Sequence, residues 1–203
     1  MPQYFLSFTA AGSLMKSECS LIVERFIDLR CWEKVADEII EQNLLQSRTK
    51  NTAKRIGSEL IKRLKKLSEE ELGFYGVANY NDQGYLLWLA ICRCYRFLGE
   101  LAAELLHERF VTLQISLNHE DYNYFFTQKA ALNEKLANLS ERTQSTLRQS
   151  AFKIMRDAEL LTRENLILPA MMSKELARLL AHGDVQEFLY FPIFNADVAQ
   201  LIQ

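Results

Sequence analysis

YLLWLAICRCYRFLGELAAELL, residues 85–106, decides the fold. Its first eight residues, Tyr85 to Cys92, carry no charge, and Leu86, Leu87, Trp88, Leu89 and Ile91 cover nearly every side of a helix. A helix that is apolar all round must be enclosed, either by other protein elements or by lipid. Arg93, Arg96, Glu100 and Glu104 follow at once. Two arginines near the middle of a span would each cost about 2.5–3.5 kcal/mol to insert. The segment therefore reads as the central helix of a protein core, not as a membrane span. The element extends from about Asp82 to Val111, about 45 Å if straight, and Gly99 is its expected break or close-packing point.

Outward from this centre the chain keeps to helical periodicity. On the N-terminal side, helices are expected from about Ser13 to Leu29, from Trp32 to Leu45, and from Thr49 to Leu67. In the last of these, Ala53, Ile56, Leu60, Leu64 and Leu67 draw a narrow apolar stripe. Ser68-Glu69-Glu70-Glu71 reads as a capping box opening another helix. On the C-terminal side, Asn118 with Asp121 starts a helix through Tyr122, Phe125 and Phe126. Ser140 caps the next, which carries Leu147, Ala151, Ile154, Ala158 and Leu161. Thr162 to Pro169 alternates loosely, as a short hairpin would, and Ser173 caps a helix to about Ala181. With seven Gly and three Pro in 203 residues, turn residues are too few for a sandwich or barrel. The expected fold class is all-α, with helix-turn-helix-like elements and one small β-hairpin near 162–169. Three regions packed as one globular unit are expected: 1–76 with a helix-turn-helix-like unit at about 32–67, core helices at 77–135, and a winged-helix-like region at 136–203.

The mix of 49% hydrophobic and 25% charged residues is that of an ordinary globular protein. Cys19, Cys31, Cys92 and Cys94 show no disulfide framework, and Cys92 and Cys94 project about 200° apart on a helix, the wrong geometry for one metal. They read as small buried hydrophobes. Met1 to Thr9 has no basic region of a signal peptide, so a cytoplasmic location is expected.

Net charge is only −2, but its distribution is uneven. Residues 48–66 hold Arg48, Lys50, Lys54, Arg55, Lys62, Arg63, Lys65 and Lys66 against Glu59, a net +7, while the remaining chain carries −9. With Leu60 at 0° and 100° per residue, the apolar stripe lies between about −40° and +40°. Lys54, Lys65, Lys62, Arg55 and Lys66 fall between about 120° and 240° on the opposite side. A solvated helix face usually mixes signs, because acid–base pairs one turn apart stabilise it. This one reads as a cationic ridge for phosphates on the second helix of a helix-turn-helix-like unit. A second candidate is the helix with Arg142, Arg148, Lys153 and Arg156, followed by Arg163 and the hairpin, in the order of a winged helix. Net charge from Glu141 to Arg163 is +2.

Catalytic constellations are absent from the sequence. No glycine-rich phosphate loop, HExxH or GxSxG occurs. His119-Glu120-Asp121 reads as a helix start, where acidic side chains suit the macrodipole. No enzymatic activity, cofactor or small-molecule substrate is expected.

Several runs resemble one family. They are Tyr4-Phe5-Leu6-Ser7-Phe8-Thr9-Ala10, Asn43-Leu44-Leu45-Gln46-Ser47-Arg48-Thr49, Trp88-Leu89-Ala90-Ile91-Cys92, His119-Glu120-Asp121-Tyr122 with Phe125-Phe126, and Phe188 with Tyr190-Phe191-Pro192. Spread in order over the chain, they resemble the BrxA family of bacteriophage exclusion (BREX) systems, multi-gene bacterial defences that methylate host DNA and block phage replication. The resemblance implies a compact all-helical protein with helix-turn-helix elements and DNA-binding capacity, without known catalysis. Some family members have been labelled inner-membrane proteins, against which Arg93, Arg96, Glu100 and Glu104 argue here. The resemblance supplies no DNA-contacting residues; the basic residues of 48–66 and 142–163 come from charge geometry. Two readings follow: a double-stranded DNA-binding accessory protein of phage defence, or an adaptor whose basic ridge docks other BREX components. A sequence-specific regulator is a weaker third, because no Arg/Asn/Gln array at recognition-helix spacing stands out.

Overall fold

Why several of the helices start where they do is visible at their caps. In the structure, a computed structural model that describes residues 4–203, Thr49 accepts the Thr52 amide at the start of α3 (Lys50–Leu64). Ser68 and Glu71 exchange reciprocal bonds to open α4 (Glu69–Tyr75), so the expected capping box is present. Before them lie α1 (Lys16–Leu29) and α2 (Trp32–Glu41). The α2 helix ends four residues before the expected Leu45. Asn43 takes a left-handed φ of 51°, and Leu44 and Leu45 reach the core from a loop. α2 and α3 pack closely: a Cβ on Gly57 would sit 2.7 Å from Ile39, so glycine is what permits the approach. Residues 1–3, the start of the Met1–Thr9 segment, lie outside the described residues.

The expected central helix is α5 (Tyr80–Cys94), with Leu86, Trp88, Leu89 and Ala90 fully buried. Trp88 Nε1 donates to the Tyr190 carbonyl at 2.7 Å, which satisfies its one polar atom. The break falls at Tyr95, not at Gly99. Tyr95 is extended (φ −124°, ψ 95°), and its ring packs on Phe8 while its hydroxyl donates to Glu59. Gly99 instead marks close packing, since a Cβ there would meet the Cys92 carbonyl at 3.1 Å and the Tyr190 ring at 3.4 Å. The chain continues as α6 (Arg96–Leu101), a π-helical stretch (Ala102–His107) and α7 (Glu108–Val111).

The C-terminal third contains α8 (His119–Ala131), α9 (Glu134–Ala137), α10 (Glu141–Asp157), α11 (Lys174–His182) and α12 (Asn195–Leu201). Ser140 caps α10 and Ser173 caps α11, as their sequences require. Between α10 and α11 the chain doubles back, with Leu161 bridged to Ile167. A third segment joins this hairpin from before α8: Ser116 bridges Leu166, and the Ile167 amide donates to the Ile115 carbonyl at 2.7 Å. The architecture is all-α, these bridges being its only strand-like pairing among the described residues. No helix among the described residues is long and apolar enough to cross a membrane.

Candidate nucleic-acid interface

The basic residues of α3 and its two ends have two kinds of surroundings: six are exposed, and Lys62 and Arg63 are drawn inward. Arg48, Lys54, Lys65 and Lys66 are exposed. Lys50 is also exposed and meets Glu41 at 3.2 Å, a pair too solvated to hold its charge back. Arg55 is exposed, and its guanidinium donates to the Ala10 carbonyl at 2.5 Å. Lys62 is half-buried. It donates to Ser7 Oγ at 2.9 Å, pairs with Glu59 at 3.2 Å and lies over the Tyr95 ring. Burial works against its charge, but Tyr95 and Glu59 outweigh that and hold its pKa above the ordinary lysine value.

Arg63 corrects the sequence reading. Only 2% exposed, it pairs with Glu59 at 2.8 Å and donates to the carbonyls of Ser13 and Phe8, each at 2.9 Å. At about −60° from Leu60 it borders the apolar stripe, so packing α3 on the core takes Arg63 inside. The solvent-facing ridge is therefore Arg48, Lys50, Lys54, Arg55, Lys65 and Lys66, with Lys62 at its margin.

On α10 the exposed face differs from the one that counting arginines selects. Arg148 and Arg156 are half-buried. Arg148 donates to the Asn123 side-chain oxygen of α8 at 2.8 Å, and Arg156 to that of Asn165 in the hairpin turn at 2.5 Å. Buried Phe152 lies between them on the helix, packed edge-on against His119 and Tyr122. The solvent-facing row is instead Arg142, Thr146, Gln149 and Lys153, at gaps of 4, 3 and 4 residues. It spans about 220° to 280° from Ile154 and contains no acid. Thr146 and Gln149, which stand between Arg142 and Lys153, are the residues that sequence reasoning missed. Their spacing was the signal, hidden because only one arginine belongs to the row. Arg163 is exposed in the hairpin turn.

The two basic regions are neighbours across one short segment. A groove of about 490 Å³ separates the N-terminal residues from α10, lined among others by Phe5, Ser7, Thr9, Lys135, Arg142 and Thr146. Ser7 thus faces Lys62 of α3 on one side and the α10 groove on the other. The uncharged turn Ser7–Ala10 lies between the margin of the α3 ridge and Arg142 and Thr146 of α10.

The sequence model of the BrxA family matches residues 2–184. The chain belongs to the BrxA family. Among BrxA relatives, one from Bacillus cereus (strain H3081.97), named BREX protein BrxA, is 26% identical over 156 residues, covering 77% of this chain and 75% of its own. A solved structure, described as an uncharacterized protein from Magnetospirillum magneticum, superposes with a TM-score of 0.77 at 17% identity. It covers 94% of this chain and 98% of its own, so the two share a fold.

Proposed function

We propose that this BrxA-family chain is a double-stranded DNA-binding accessory protein of a BREX-type phage defence, acting by binding and not by catalysis. Family membership supports the defence system. The DNA reading is carried by one observation: α10 presents an acid-free polar row beside a hairpin whose turn bears Arg163. The chain order 115–117, α8, α9, α10, hairpin is that of a winged helix. In this reading α10 enters the major groove, whose width of about 12 Å admits a helix. Arg142 and Gln149 reach base edges, Lys153 and Arg163 reach phosphates, and the α3 ridge contacts the backbone beyond the Ser7–Ala10 turn. Other BREX components are further partners in the same assembly.

The test is duplex binding by fluorescence anisotropy across a salt series. Arg142→Ala/Gln149→Ala/Lys153→Ala should bind weakly, with a log K–log salt slope smaller in magnitude by about one, near 0.9 for the one phosphate that Lys153 no longer neutralises. A variant of native helicity that keeps wild-type affinity and slope refutes the assignment of α10. Basic surface that instead retained a defence protein after nuclease treatment, without binding DNA, would point to the adaptor role.

A further inference from the structure

Arg148 and Arg156 stand two helical turns apart on α10, and among the described residues neither is paired with a carboxylate. Each is anchored by a single bond to a neutral amide oxygen, Asn123 or Asn165, and the Nε–H of each is buried without an acceptor. His119 lies over Phe152, between the two on the helix, with ring centroids 4.8 Å apart. Beneath them the buried hydroxyl of Tyr122 also lacks a partner. Two guanidiniums, an imidazole and orphaned donors thus gather where α8, α10 and the hairpin turn meet. Buried donors without acceptors are costly in a folded protein, and planar guanidiniums are the groups best suited to phosphate oxygens.

We propose that Arg148, Arg156 and His119 form an anion site for a phosphodiester of the bound DNA strand, and that filling it takes up a proton. The proposal rests on the DNA-binding reading and assigns a site to it. Burial and the charges of Arg148 and Arg156 hold the His119 pKa below its ordinary value, so the free imidazole is neutral near pH 7. A phosphate between the arginines reverses that field and favours the imidazolium, which can then donate from both ring nitrogens. The other charges around His119 do not stand in for the phosphate. Asp121 is engaged by Arg109 at 3.1 Å and by the Asn118 amide at 2.7 Å. Glu120 is exposed on the same helix, and the hairpin turn carries Arg163 and Glu164, whose charges cancel. Lys153 belongs to the exposed row of α10.

Because binding takes up the proton, DNA affinity should rise as pH falls through the histidine range, by at most about tenfold per pH unit for one proton. The experiment measures duplex affinity at fixed salt between about pH 5.5 and 8. Wild type and His182→Asn should show the rise, and His119→Asn should be nearly flat. Arg148→Gln/Arg156→Gln should lose the rise and also lower the salt slope by about one, for the single phosphate the site holds. A His119→Asn protein that binds duplex with the wild-type pH dependence overturns the proposal. If wild type binds no duplex, the DNA reading fails, and the site is tested alone by following the His119 ring resonances during titration with inorganic phosphate. A raised His119 pKa then supports an anion site for free phosphate; unmoved resonances overturn it.

Discussion

Arg63 distinguishes a folding role from a binding role, and the structure fixes which variants report it. Glu59 and Arg63 are 6% and 2% exposed and meet at 2.8 Å. Through Arg63, the pair holds the carbonyls of Phe8 and Ser13, and through Lys62 and Tyr95 it reaches Ser7. The N-terminal turn is thereby clamped to α3. Glu59→Gln leaves a guanidinium buried without its counter-charge, a loss that costs about 3–5 kcal/mol. A domain of this size has about 5–15 kcal/mol in total. At about 2–4 °C per kcal/mol for such a chain length, the melting midpoint should fall by about 6–20 °C. Arg63→Met should fall similarly, because Phe8 and Ser13 lose their donor as well. In a double-mutant cycle followed by urea unfolding, the two single costs should together exceed the double cost by about 0.5–3 kcal/mol. DNA binding gives the opposite check. Folded Arg63→Met, assayed well below its midpoint, should keep the wild-type salt slope, since a buried guanidinium releases no counterion from a phosphate. An Arg63→Met protein of unchanged stability but lowered salt slope would refute the reasoning.

Removing the exposed ridge should do the reverse. Lys54→Ala/Arg55→Ala/Lys65→Ala/Lys66→Ala should keep its melting midpoint within a few degrees while the salt slope of duplex binding drops by about three to four; an unchanged slope would exclude α3 from the interface. Acid should loosen the fold through two networks. Burial raises the Glu71 carboxyl, but Arg93 and the Ser68 amide outweigh it; Glu100 is likewise held low by Lys129, Tyr4 and Arg96. Their folded pKa values lie below the ordinary glutamate value, so their contribution is present above about pH 4.3 and is lost as pH falls through the folded values. The urea midpoint should decline over that range, and less in Arg93→Met, whose Glu71 has already lost its counter-charge; parallel declines would refute it for the Glu71 network.

The helices were legible because their signals are local. Eight uncharged residues from Tyr85 to Cys92 leave no polar side for solvent, and the Ser68–Glu71 box needs only a four-residue window. The break in the central element was not local. Gly99 has the weakest helix propensity there, yet the chain leaves the helix at Tyr95 because its ring and hydroxyl find Phe8 and Glu59, far away in sequence. Tertiary packing overrode propensity. Leu44 and Leu45 misled in the other direction: apolar side chains look like helix continuation, but a loop can deliver them to the core as well.

The site was harder to read for a reason that concerns charge itself. Counting arginines finds where cations are, not where they face. On α3 the count and the face agree for Lys54, Arg55, Lys65 and Lys66, because an apolar stripe on the other side fixes the helix orientation. Arg63 fails that rule by its angle alone, and Glu59 one turn earlier is its buried partner. On α10 two large surfaces compete. The stripe of Leu147, Ala151 and Ile154 faces the core, while Phe152, about 160° away, is buried against α8. A helix buried on two sides has one narrow face left, and on α10 it belongs to Arg142, Thr146, Gln149 and Lys153. The arginines beside Phe152 are then half-buried against α8 and the hairpin turn, and are not points on a ridge. A ridge of lysines gives affinity without register; half-buried arginines held by Asn123 and Asn165 have fixed directions. If both surfaces meet one duplex, the α3 ridge supplies the salt-dependent attraction, and α10 with its two anchored arginines determines where along the strand the protein stops.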